Sequence, residues 1–98
     1  MPKGYWVGLT TITDPEAYEA YRAANGAAFA KYGGRFLVRG GPQEVVEGQT
    51  HARTVVLEFP SLQAARDCYA SAEYREAMAM REGASVIDLV IVEGVAEG

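Results

Sequence analysis

The sequence is poor in the residue types that most small-protein chemistry uses. It has one cysteine, Cys68, and one histidine, His51. A single cysteine excludes an internal disulfide and fits a reducing compartment. One histidine and one cysteine do not by themselves make a zinc or haem-type ligand cluster, so no metal and no cofactor is expected. Basic residues are few: nine Lys and Arg against thirteen Asp and Glu, a formal charge of −4. That balance lacks the basic footprint that nucleic acid or an anionic membrane requires. No apolar run approaches the roughly 18 residues of a membrane span. The opening MPKGYWVGLTTITDPE has no long apolar run followed by a small-residue cleavage site, so a cytoplasmic protein is expected. Neither GxGxxG nor GxxxxGK[ST] occurs, which leaves Gly33-Gly34 and Gly40-Gly41 as turn residues.

What is present suffices for one globular domain over residues 1–98, with 49% hydrophobic and 22% charged residues. Residues 4–12 (GYWVGLTTI) read as a strand. Asp14 and Pro15 are an N-cap and first-turn pair for a helix running to about Tyr32. Tyr18, Tyr21, Ala28, Phe29 and Tyr32 share its apolar face, with Asn25 among them and Gly26 lowering helicity there. This spot is read as a weak point or as a close approach to a ligand. Gly33-Gly34 ends the helix. Residues 35–39 and 53–59 read as the second and third strands. They are joined by a hairpin connection over 43–52 with added pairing at Val45-Val46. Pro60-Ser61 caps a helix from Leu62 to about Ala70, and Ser71 caps another segment to about Glu82. Residues 85–93 are the last strand and 94–98 a loose tail. The order βαββαβ gives a ferredoxin-like α+β fold: an antiparallel four-stranded sheet with both helical layers on one face.

A sheet with one wet face alternates apolar and polar residues. Here both faces are apolar: Tyr5, Val7 and Leu9 oppose Trp6 and Ile12, and Ile87, Leu89 and Ile91 oppose Val86, Val90 and Val92. Helices cover one face. The other spans roughly 400 Å² at ordinary strand spacing, the size of an interaction patch. Covering it contributes on the order of 10 kcal/mol per subunit before entropic losses. A second copy on a two-fold axis is the expected cover, giving a homodimer through the sheet face.

Alternation places Trp6, Gly8, Thr10, Leu37, Arg39, Thr54, Val56, Glu58, Asp88 and Val90 away from the helices. Arg39, Glu58 and Asp88 are the charged members. One reading pairs Arg39 with Glu58 as a cross-strand salt bridge. The other puts all three beside a wet cavity, where Arg39 holds an anionic substrate group and Glu58 or Asp88 acts as base. Trp6, Tyr18, Tyr21 and Tyr74 are the candidate substrate-binding residues. His51 reads as a solvated loop residue and Cys68 as a buried small hydrophobe.

The runs DPEAYEAYR (14–22), YGGRFLVRGG (32–41), EFPS (58–61) and SAEYREA (71–77) together resemble the DUF1330 family. These are uncharacterised bacterial domains of the dimeric α/β-barrel superfamily. The resemblance spans about Tyr5 to Gly94 and implies a ferredoxin-like subunit that pairs sheet to sheet. It carries no reaction. Similar folds include cofactor-free monooxygenases, lactone isomerases, haem-degrading enzymes and ligand sensors, and a lone loop histidine speaks against the haem-degrading group. The function expected is a cofactor-independent enzyme of oxygenase or isomerase type, acting on a small metabolite between sheet and helices. A non-catalytic ligand-binding or stress-related module and a purely structural dimer stay open beside it.

Overall fold

Asp14 starts the first helix because its carboxylate accepts the orphan amide of Ala17 at 3.2 Å, and Pro15 needs no amide partner at the first helical position. The computed structural model describes residues 1–96. Its elements are β1 (Gly4–Ile12), α1 (Pro15–Lys31), β2 (Arg35–Arg39), β3 (Arg53–Phe59), α2 (Leu62–Ala70), α3 (Ala72–Met80) and β4 (Ser85–Glu93). Gly33 closes α1 at φ +75°, and the Gly34 amide returns to the Phe29 carbonyl at 2.8 Å. Ser61 caps α2 through the Ala64 amide. Ser71 then separates α2 from α3: its hydroxyl donates to the Cys68 carbonyl at 2.6 Å and accepts from the Tyr74 amide at 3.1 Å.

The strands form one antiparallel sheet in the order β2-β3-β1-β4, and the three helices cover one face. This is the ferredoxin-like α+β arrangement. Among the described residues no helix is long and apolar enough to cross a membrane. The segment 40–52 is a loop without strand pairing. Val45 and Val46 are exposed, so the added pairing expected there is not formed. Gln43 ties the loop to its own end, donating to the His51 carbonyl and accepting from the Thr54 hydroxyl. Of the expected tail, the Gly94 amide is held by the Lys3 carbonyl at 2.7 Å, while residues 97 and 98 lie outside the described residues.

Two face assignments differ from the sequence reading. In β1 the helix-covered face carries Gly4, Trp6, Gly8 and Thr10, all buried, and Tyr5, Val7 and Leu9 point the other way. The reason is volume. Trp6 needs the thick layer between sheet and helices, and Gly4 sits where the start of α2 presses on the strand. A Cβ at Gly4 would stand 2.4 Å from the Ser61 carbonyl oxygen. In β2 a bulge falls between Phe36 and Val38. Arg35 pairs with Glu58 on the open face, the extra residue Leu37 interrupts the alternation, and Arg39 turns to the helix side opposite Val55.

The core centres on Trp6, whose ring meets Phe29, Phe59, Tyr69 and Tyr74 at centroid distances of 5.3, 5.5, 5.8 and 4.8 Å. Its indole N–H donates to the Ala65 carbonyl at 2.9 Å. On the open face, the register lines up Val38, Val56, Val7 and Val90 in one row across all four strands. The next row holds Arg35, Glu58, Tyr5 and Val92.

Candidate functional site

α2 lies directly on the sheet, but α1 packs chiefly on α3 and stands off the strands. Between α1 and the sheet is a cavity of about 50 Å³, open to solvent at one side. Its floor comes from the helix-covered face of β1. Gly8 supplies no side chain there, and a Cβ at that position would meet only the Leu89 side chain, at 3.5 Å, and the Val55 carbonyl, at 3.9 Å. Tyr18, Tyr21 and Asn25 of α1 form the roof, and Trp6 and Tyr74 close the inner wall. A space of this size encloses a few water molecules or the polar head of a small ligand.

The lining is strongly asymmetric in charge. Among the described residues it contains Arg22, Arg39 and Arg53 and no carboxylate or imidazole, in a chain whose formal charge is −4. The Arg39 guanidinium lies 4.3 Å from the centroid of the Phe36 ring, a cation–π contact that holds it at the cavity edge. Burial raises the Tyr18 hydroxyl above its ordinary range and Tyr21 adds to this, while Arg53, Arg81 and Arg22 offset part of it. Burial, then the neighbouring Tyr74, raises Tyr21 further. Both are therefore neutral phenols at physiological pH, able to donate hydrogen bonds and unsuited to act as bases.

A polar chain runs along the inner end. Arg81 donates to the Tyr74 hydroxyl at 3.4 Å, the Tyr74 and Tyr21 hydroxyls lie 2.9 Å apart, and the Asn25 side chain neighbours Tyr21. Asn25 is 6% exposed, and its carbonyl oxygen Oδ1 is buried without a partner. Arg53 Nε is likewise buried and unpaired. Both residues line the cavity.

Of the residues singled out from the sequence, the fold brings Trp6, Tyr18, Tyr21, Tyr74 and Arg39 around this one cavity. It does not bring Glu58 or Asp88 there. Glu58 lies on the opposite face of the sheet, where Arg35, not Arg39, is its ion-pair partner at 2.9 Å, and Tyr5 donates to it at 3.1 Å. Asp88, also on that open face, pairs with His51 at 2.6 Å. The bulge at Leu37 separates Arg39 from both carboxylates, so neither the Arg39–Glu58 bridge nor the three-residue cluster forms. His51 is not solvated as expected: its other ring nitrogen lies 2.7 Å from the Thr11 hydroxyl, and its side chain is 19% exposed. Cys68 is fully buried, its thiol 3.7 Å from the Ala28 carbonyl, and burial pushes it up to about 12. It is no nucleophile.

The sequence reading passed over Arg22 and Arg53 and placed Gly8 on the open face with no role. Arg53 faces Thr10 across the β1–β3 ladder, so a correct face for Trp6 would have carried Thr10 and Arg53 with it. Asn25 carried a visible signal, an amide within an apolar helical stripe.

The Arg35–Glu58 pair makes a pH prediction. The hydrogen bond from Arg35 is the main cause that holds the Glu58 carboxyl below its usual range, with Tyr5 adding to it. A depressed folded-state pKa contributes stability above the unfolded value, about 4.3, that is lost as pH falls through and below it. The stability difference between wild type and Glu58→Gln is therefore expected at neutral pH and should shrink toward pH 3. Urea midpoints at the two pH values measure it; a constant difference would show that the pair does not couple folding to protonation.

The chain thus joins a ferredoxin-like subunit to an arginine-lined cavity. A family model described as a domain of unknown function, DUF1330, matches residues 3–95, and the chain belongs to that family. No curated protein matches it. Among solved structures, a protein of unknown function from Rhodopseudomonas palustris is 22% identical with a TM-score of 0.77, the alignment covering 98% of this chain and 85% of that one. SnoaB, a cofactor-independent oxygenase from Streptomyces nogalater, is 17% identical with a TM-score of 0.64 and coverage of 100% and 96%. A dimeric protein of unknown function and ferredoxin-like fold from Bacteroides fragilis is 14% identical with a TM-score of 0.62 and coverage of 93% and 95%. At these identities the likeness shows the fold alone.

Proposed function

We propose that this chain is a cofactor-independent enzyme of isomerase or oxygenase type that takes a small organic anion into the cavity under α1. The observation that carries the reading is the lining itself: among the described residues, three arginines and no carboxylate around an aromatic-walled space. Such a site attracts an anion and, in a partly desolvated setting, stabilises negative charge that develops on it. An acidic C–H or O–H next to a carbonyl would ionise more readily there. With no carboxylate or imidazole in the lining, the proton leaves to solvent through the open side. Reprotonation at another carbon completes an isomerisation. In the oxygenase variant a CH₂ group of the anion becomes C=O: the substrate itself gives all four electrons to dioxygen, one oxygen atom entering the new carbonyl and the other leaving as water with the two hydrogens of that carbon. SnoaB, a fold relative, is described as an oxygenase of that cofactor-independent type. We further propose that two copies pair through the open sheet face, which leaves the cavity, on the opposite side, free for ligand.

Pyruvate in D₂O tests the chemistry, because exchange of its methyl protons reports enolate formation directly by NMR. Exchange above the buffer rate is expected for the wild type. Gly8→Val should remove it with little change in unfolding midpoint, since the new side chain fills the cavity floor and meets little else. The lack of an imidazole or carboxylate in the lining favours one other reading, capture without turnover. Binding of pyruvate without exchange would select it. Neither binding nor exchange would remove the cavity from consideration.

A further inference from the structure

Two buried, unpartnered hydrogen-bonding atoms of opposite sense belong to residues that line the same cavity. Among the described residues four buried side-chain polar atoms lack partners, and two of them, Asn25 Oδ1 and Arg53 Nε, belong to lining residues. Asn25 comes from α1 and Arg53 from the first position of β3, so they approach from the roof and the sheet. An amide oxygen only accepts and a guanidinium nitrogen only donates. They therefore ask different things of a ligand. A buried group without a partner carries its full desolvation penalty, and a ligand atom of the right sense relieves it. Among the described residues nothing satisfies Asn25 Oδ1, and the neighbouring Tyr21 hydroxyl is already engaged with that of Tyr74 at 2.9 Å.

We infer that the cavity is built for a carboxylic acid that also carries a hydroxyl group within a few atoms, the hydroxyl donating to Asn25 Oδ1 and the carboxylate accepting from Arg53 Nε. This rests on the anion-binding reading above and narrows it. Arg39 supplies further positive charge, and Arg22, which also pairs with Glu19 at 3.5 Å, stands at the same cavity. The cavity volume of about 50 Å³ limits the enclosed part to a few atoms, so the hydroxyl and carboxylate lie close together on the ligand. The enol form of a keto acid meets the same description. Asn25 would then favour the enol over the keto form, which has no proton to donate. Asn25 acts here as a ligand-binding residue that selects by hydrogen-bond sense.

The hydroxyl group can come from an aliphatic or an aromatic acid, and two probe series separate these sources. One is propionate, lactate and 2-methoxypropionate; the other is benzoate, 3-hydroxybenzoate and 3-methoxybenzoate. Affinities for the full chain are read by NMR titration, with Trp6 fluorescence as a second signal. In at least one series the hydroxy acid is expected to bind about tenfold more tightly than its parent, the effect of one hydrogen bond to a buried orphan. The methoxy compound, which cannot donate, should lose that gain in the wild type, so the donor requirement is tested without any variant. Asn25→Leu should abolish the hydroxy acid's advantage over its parent. Arg53→Lys should weaken parent and hydroxy acid alike. If the parent acids bind in an Arg53-dependent way but the hydroxyl adds nothing, or methoxy serves as well as hydroxyl, this inference is overturned and the anion site stands. If none of the six acids binds, the anion site itself falls and the inference goes with it.

Discussion

Truncating Trp6 to alanine is expected to lower the free energy of unfolding by about 3–5 kcal/mol, the range for removing a large aromatic from a packed core. Domains of this size have about 5–15 kcal/mol in all, so the variant should sit near the edge of folding. The effect is large because Trp6, 2% exposed, touches rings from α1, β3, α2 and α3 at once. Its indole N–H is also the buried partner of the Ala65 carbonyl in α2. Trp6→Phe keeps a ring but deletes that donor, and should fall between wild type and alanine. Urea denaturation of the three proteins measures both steps. A loss below about 1 kcal/mol for Trp6→Ala would mean that the aromatic cluster closes over the gap and that Trp6 is not its centre.

The same residue shows where sequence reasoning succeeded and where it stopped. Every strand boundary followed from local signals: aromatic and β-branched runs, the Asp14-Pro15 cap, Gly33, and Pro60-Ser61. These act within a few residues and are legible in the chain. Which face of β1 meets the helices is not local. Tyr5, Val7 and Leu9 form the more continuous apolar set, yet the crowded face is the one with Gly4 and Gly8, because small residues admit the start of α2 at one end and leave room for a cavity at the other. The bulge at Leu37 is hidden for a related reason. Nothing in RFLVR requires it, and its consequence is to send Arg35 and Arg39 to opposite faces.

That one irregularity decides which charged groups share the cavity. Alternation without the bulge puts Arg39 with Glu58 and Asp88, which invites an acid–base site. With it, the carboxylates go to the open face, where Arg35 and His51 hold them, and Arg39 and Arg53 are left beside the aromatic rings, with Arg22 paired to Glu19 at 3.5 Å. The tyrosines of α1 and α3 were placed correctly in outline because helical spacing fixes which residues share a stripe. Asn25 was visible as an anomaly in that stripe. Its open oxygen was not, since that depends on Tyr21 and Tyr74 meeting from residues 53 apart.

On the proposed pairing through the open sheet face, a lysine at Val7 is expected to convert dimer to monomer. Val7 stands near the middle of the row Val38, Val56, Val7, Val90, which crosses the open face from edge to edge. Val38 and Val90 in that row are 41% and 57% exposed, and Val86 and Val92 on the same face are 56% and 46% exposed. β-branched side chains in register make a broad apolar surface that a second sheet can meet face to face at about 10 Å. The flanking row offers Arg35, Glu58 and Tyr5, already bonded to one another, as polar neighbours that need little rearrangement. In a two-fold pair the Val7 positions of both copies lie near the middle of the contact, so each lysine would lose water beside the other's charge. Two like charges desolvated together cost several kcal/mol, more than a thousandfold in dimer affinity. In the isolated subunit the same lysine points into solvent, so folding should survive, as circular dichroism would show. Light scattering during gel filtration at micromolar concentration should give twice the chain mass for the wild type and for a Glu16→Lys control on the exposed side of α1, and a single chain mass for Val7→Lys. A monomeric wild type would overturn the pairing, and a dimeric Val7→Lys would move the interface off this face.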